Sequence, residues 1–140
     1  MLSQKGMSVK NATVGTIRGT DDVLSALRDA VKNQVVGSLK DIGEVTTTAL
    51  ETVTDVVTGS IEAASEVGVT VIDASKSAVS SAVMGVSEVG GDIIVAAEKA
   101  AMGAVKAADE IGEEAGRAVR SALMSAATLP KDIIEAVVKG

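Results

Sequence analysis

The chain has 140 residues and a net charge of −6, and it contains no Phe, Tyr, Trp, Cys or His. Without Cys or His, the sequence excludes disulfide bonds, Cys/His metal sites and catalysis by a serine–histidine or cysteine–histidine pair. The body of the chain is acidic and has no basic stripe, which argues against a nucleic acid partner.

The first predicted element is a basic polar N-terminal arm, residues 1–19. It carries Lys5, Lys10 and Arg18 and no acidic residue, so the negative charge of the protein lies in the rest of the chain. The arm lacks the apolar run of about 7–15 residues that a secretory signal requires. We therefore expect no secretory signal here.

The second element, residues 20–129, repeats itself every 22 residues. The segments "GSIEAASEVG" (59–68), "SAVMGVSEVG" (81–90) and "GAVKAADEIG" (103–112) begin 22 residues apart. Within this period, apolar residues recur with spacings of 3, 4 and 4, which is 11 residues in about three helical turns. A heptad frame fails, because it puts Glu66 and Asp73 at positions that should be apolar.

This hendecad pattern predicts an all-α protein with a long amphipathic helix in a multi-copy assembly. The apolar face covers close to half of the helix circumference, which is wider than the seam of a two-stranded coiled coil. The residues predicted to form this lipid or assembly face are Leu24, Leu27, Val31, Val35, Ile42, Val53, Val57, Val71, Val79, Val86, Ile93, Val119, Leu123, Ile134 and Val137.

The predicted helix is continuous, or it folds into helical hairpins at glycines. "EVGVT" (66–70) and "VGGD" (89–92) are the candidate breaks, but the apolar frame is not reset across either one, which favours a continuous helix. Repeats separated by turns would keep the same period. Pro130 removes a backbone donor, so the third element, residues 130–140, is expected to be a short separate helix.

Three glycines lie in the middle of the predicted apolar face, namely Gly68, Gly90 and Gly112. One interpretation is that small residues on this face allow close packing between helices. The alternative is that they only weaken the helix and make it adaptable. Gly37, Gly59 and Gly103 fall on the polar side of the same frame.

The stretch "VVTGSIEAASEVG" (56–68) and its 11-residue periodicity resemble the synucleins, and the 22-residue unit resembles the exchangeable apolipoproteins. The likeness covers roughly residues 23–138 and rests on periodicity and composition. It implies a helix that folds on a lipid surface.

The sequence thus predicts a non-enzymatic structural protein whose amphipathic helices self-assemble on or around a lipid or membrane surface. The alternative is a purely proteinaceous filament or helical bundle. No run of 18 apolar residues exists, so the expected location is a lipid surface rather than a membrane crossing. The carboxylate pairs Asp109–Glu110 and Glu113–Glu114 lie on the polar face and are expected to be solvated. The partners are then further copies and lipid, without a cofactor, nucleic acid or small-molecule substrate.

Overall fold

The computed structural model describes residues 4–17, 22–42, 49–126 and 129–139, with side chains described from residue 7 and, in the second segment, to residue 40. The predicted all-α class is confirmed, because these residues form seven helices and no strand. The helices are α1 (Gln4–Ile17), α2 (Val23–Ile42), α3 (Glu51–Glu66), α4 (Val71–Glu88), α5 (Ile93–Ile111), α6 (Glu113–Ser125) and α7 (Lys131–Lys139).

Glycine-containing turns end the helices at the candidate breaks in the sequence. Gly68 and Gly90 have φ angles of 98° and 78°, a region that favours glycine. After α3, the Val69 amide donates to the Ala64 carbonyl at 2.9 Å and the Gly68 amide donates to Ser65 at 3.1 Å. This pattern is a Schellman motif, and the same two bonds recur around Gly90.

A capping residue starts the next helix directly after each of these turns. The Thr70 hydroxyl accepts from the Asp73 amide, and the Asp92 carboxylate accepts from the Ile94 and Val95 amides. The favoured continuous helix is therefore wrong for the described residues. From α3 to α6, successive helices are separated by single turns, an arrangement compatible with the 22-residue period of the sequence.

The helices form a stack of two rows. Within the described residues, each helix contacts only helices that are one or two positions away in the chain. Helices α1, α3, α5 and α7 make one row, and α2, α4 and α6 make the other. Such contacts between near neighbours only are typical of helical repeat proteins.

The contact between α3 and α5 shows how closely neighbours in a row pack. The Thr54 hydroxyl donates to the Lys99 carbonyl, and the Thr58 hydroxyl donates to the Gly103 carbonyl, each at 3.0 Å. Both bonds join residues 45 positions apart. The two helices therefore run parallel.

Most of the predicted apolar face forms the core between the two rows. The buried members are Leu27, Val31, Val35, Val53, Val57, Val79, Val86, Val119, Leu123 and Ile134. Leu24, Val71 and Val137 are half-buried, Ile93 is 51 % exposed, and the side chain of Ile42 lies outside the described residues. Because the chain folds back at its turns, this face covers itself instead of facing outward.

The close approaches between helices lie at other glycines than the sequence predicts. A Cβ atom on Gly68, Gly90 or Gly112 would meet nothing within 4 Å. Gly103 is buried, and a Cβ there would lie 2.6 Å from the Thr54 carbonyl oxygen. Gly59 is buried as well. Within this chain the predicted polar positions of Gly59 and Gly103 are therefore wrong, and the predicted packing glycines lie in turns.

The ends of the chain differ in part from the expected arm and short helix. Inside the expected polar arm, α1 buries Val9, Thr13 and Ile17 and packs on α3. The boundary between residues 19 and 20 lies outside the described residues. After Pro130, α7 forms as expected and packs on α5 and α6.

Candidate functional surface

One flank of α5 is only partly covered by the helix beside it. On one side, α5 packs on the 16-residue α3, and on the other side it packs on α7, which has nine residues. Met102, in the middle of α5, is 42 % exposed, and Ile94, two turns earlier, is 51 % exposed. The short α7 therefore leaves apolar surface of α5 open.

Residues four positions apart lie on the same side of a helix. On α5, Ile94, Glu98, Met102 and Lys106 follow this spacing. We call these four residues the α5 stripe. The stripe combines two apolar side chains with one acidic and one basic side chain.

Two hollows meet at Met102. The first has a volume of about 340 Å³ and lies between α5 and α7, and the second, of about 460 Å³, extends towards α6. The first is lined by Glu98, Met102, Ile133, Ala136 and Val137. The second is lined by Met102, Val105, Lys106, Asp109, Glu110, Arg120 and Val137. The stripe thus borders an apolar groove that carries charge at both of its ends.

An ion pair fixes the α6 side of this groove. The two terminal nitrogens of Arg120 donate to the two carboxylate oxygens of Asp109, at 2.7 and 2.9 Å. This two-bond geometry is the most specific form of an arginine–carboxylate contact. The hydrogen bond from Arg120 holds the pKa of Asp109 below its usual value.

Lysine–glutamate pairs recur between neighbours in a row. The distance from the lysine Nζ to a glutamate carboxylate oxygen is 3.8 Å for Lys10–Glu66, 3.2 Å for Lys32–Glu88 and 3.9 Å for Lys99–Glu51. These three pairs join α1 to α3, α2 to α4, and α3 to α5. By contrast, Glu98 and Lys106 of the stripe make no ion pair with any residue that the structure describes.

A second charged hollow, of about 310 Å³, lies where α1, α3 and α5 meet. It is lined by Lys10, Glu62, Ser65, Glu66, Glu110 and Ile111. Partial burial, a hydrogen bond to Glu110 and the negative charge of Glu110 raise the pKa of Glu62 to about 7. The same hydrogen bond lowers the pKa of Glu110.

Sequence reasoning missed the stripe because its charged members belong to the polar side of the repeat frame. A methionine alone is weak evidence for an exposed surface, because this residue often fills gaps in a core. The available signal was Met102 itself, a large apolar residue that stands between the polar positions of Glu98 and Lys106.

None of the described helices combines the length and the apolarity that a membrane crossing requires. In the same part of the chain, no group of three or more acidic side chains is arranged to hold a metal ion.

The chain matches no protein family model, and no curated protein or solved structure shows detectable similarity to it. The resemblance to synucleins and apolipoproteins therefore rests on periodicity and composition alone.

Proposed function

We propose that this chain is a non-enzymatic structural protein that associates with further copies of itself through the α5 stripe. The observation that carries the proposal is the apolar surface around Met102, which α7 leaves open. Large apolar side chains that share an exposed groove favour association, because burying them removes apolar area from water.

The architecture of the stack supports this proposal. Repeat proteins bury their apolar faces against neighbouring repeats and need polar terminal helices to stay soluble as single chains. Here α7 is shorter than α5, the helix it packs on, and covers only part of it. A second copy is a ready source of the missing contact.

Association on a lipid surface is the second candidate. It is supported by Ile93 and Ile94, which lie side by side at the start of α5 and are each 51 % exposed. The burial of most of the predicted apolar face inside the stack weakens this candidate, because few large side chains are left to enter a lipid surface.

Sedimentation equilibrium over a range of protein concentrations tests the proposal. We expect the wild-type chain to show a concentration-dependent mass above that of the 14.0 kDa monomer. Met102→Glu should shift it towards the monomer, because the variant places a charge in the apolar groove. Met84→Glu is the matched control, since Met84 is 56 % exposed on α4 and lies outside the groove.

A wild-type chain that stays monomeric at all concentrations, with or without lipid, would overturn the proposal. Flotation with neutral phosphatidylcholine vesicles separates the two candidates. Association that needs vesicles favours the lipid surface, and association in plain buffer favours contacts between protein copies.

A further inference from the structure

The α5 stripe has a symmetry that predicts how two copies meet. Glu98 precedes Met102 by four residues, and Lys106 follows it by four. The acidic and the basic side chain are therefore placed at equal distances on either side of Met102, each about 6 Å away along the helix axis.

We infer that two copies pair with their α5 helices antiparallel, around a twofold axis that passes close to Met102. This inference rests on the proposed self-association and specifies its geometry. In this arrangement Glu98 of each copy faces Lys106 of the other copy, and the two Met102 side chains pack together at the axis. The same surface is used on both copies, as in most homodimers.

Charge complementarity selects the antiparallel orientation. A parallel pairing in register would place Glu98 against Glu98 and Lys106 against Lys106, and like charges in contact are unfavourable. The antiparallel pairing forms two opposite-charge contacts instead. Neither residue forms an ion pair in the described part of the chain. The charge of Lys106 does help to lower the pKa of Glu110, one turn further along α5.

The residue types also match those that the protein uses between its own helices. The pairs Lys10–Glu66, Lys32–Glu88 and Lys99–Glu51 each join two helices of a row. The contact between two copies repeats this chemistry at the one flank of α5 that lacks a full-length neighbour.

Charge reversal provides the test. Glu98→Lys brings a new lysine side chain of one copy against Lys106 of the other, and Lys106→Glu creates two glutamate pairs in the same way. We expect each single variant to raise the dimer Kd by about tenfold or more. The double variant Glu98→Lys/Lys106→Glu restores both opposite-charge contacts, so its Kd should return to within about threefold of the wild type.

A mixture of the two single variants gives an independent readout. Each variant is impaired alone, but together they complement each other at both contacts, so an equimolar mixture should form a heterodimer. Sedimentation and native mass spectrometry detect it, and circular dichroism confirms that each variant is folded. Lys76→Glu is the matched control, because Lys76 is exposed on α4 and outside the stripe, and it should leave the Kd unchanged.

The outcomes separate this inference from the proposed function. If the wild type is monomeric at every concentration, both the proposed self-association and the antiparallel geometry are overturned. If it associates and Met102→Glu disrupts it, but neither the double variant nor the mixture recovers association, then the surface is right and the antiparallel geometry is overturned.

Discussion

Gly103 sets the distance between α3 and α5. A Cβ atom at this position would lie 2.6 Å from the Thr54 carbonyl oxygen and 3.1 Å from the Cβ of Val57. Because the first of these neighbours is backbone, the clash cannot be relieved by a rotamer change. The two threonine hydrogen bonds across the contact depend on the same short distance.

We therefore expect Gly103→Ala to lower the free energy of unfolding by about 1–3 kcal/mol, the usual cost of overpacking. The matched control is Gly37→Ala in α2, where a Cβ meets nothing within 4 Å. Alanine there should raise stability by about 0.5–1 kcal/mol, because it favours the helix. Urea denaturation followed by circular dichroism measures both, and equal effects of the two substitutions would contradict the described contact.

At the scale of the element, α3, α4 and α5 are each followed by a turn that contains a glycine. Gly68, Gly90 and Gly112 occupy equivalent positions of successive repeats, yet their backbones differ. The first two adopt the left-handed conformation, whereas Gly112 is extended, with φ 162° and ψ 164°. Only the first two turns therefore require glycine.

The consequence is a different response to the same substitution at equivalent positions. Gly90→Ala should lower the free energy of unfolding by about 1–2 kcal/mol, because a Cβ is strained at a φ angle of 78°. Gly112→Ala should change it by less than about 0.5 kcal/mol, since its backbone conformation suits any residue and a Cβ meets nothing there. Chemical denaturation of both variants under one set of conditions checks this difference, and a large loss at Gly112 would refute it.

The helices and their apolar positions could be predicted from the sequence, but their folding back could not. The spacing of 3, 4 and 4 reports which residues avoid water, so it found Leu27, Val57 and Val119 in the core. It is the same for a long helix and for repeats separated by turns. The sequences "EVGVT" and "VGGD" were identified as candidate breaks. Local sequence alone, however, does not show whether the capping hydrogen bonds of a turn are more stable than a continuous helix.

The α5 stripe could not be predicted from the sequence for a related reason. Glu98 and Lys106 have the polar character of any solvated position, and the exposure of Met102 results from the shortness of α7 beside it. That relation exists only once the order of the helices in the rows is known. Pattern reasoning therefore identifies the buried residues of a repeat more readily than the surface that a short neighbouring helix leaves exposed.

At the scale of the whole molecule, the contact between Glu62 of α3 and Glu110 of α5 makes the stability of the odd-numbered row depend on pH. The folded state raises the pKa of Glu62 from 4.5 to about 7. Between these values the folded chain holds a proton that the unfolded chain has released. This contribution to stability is therefore fully present below about pH 4.5 and is lost as the pH rises through 7.

Glu62→Gln should remove this dependence, because the amide does not titrate and cannot repel Glu110. After allowance for the partial solvent exposure of Glu62, we expect the variant to exceed the wild type in free energy of unfolding by about 1 kcal/mol at pH 8. The difference should shrink at pH 5, where Glu62 of the wild type is protonated and also carries no charge. Urea titrations at the two pH values measure this difference, and a constant difference would contradict the raised pKa of Glu62.

The two-row order has a consequence for how such a chain changes length in evolution. Neighbours in a row are two repeats apart, as the bonds between residues 45 positions apart record. Duplication or deletion of two consecutive repeats, 44 residues, leaves every later helix in its own row with its apolar side turned inward. Loss of a single repeat would instead move every later helix into the opposite row, where it would pack on different neighbours.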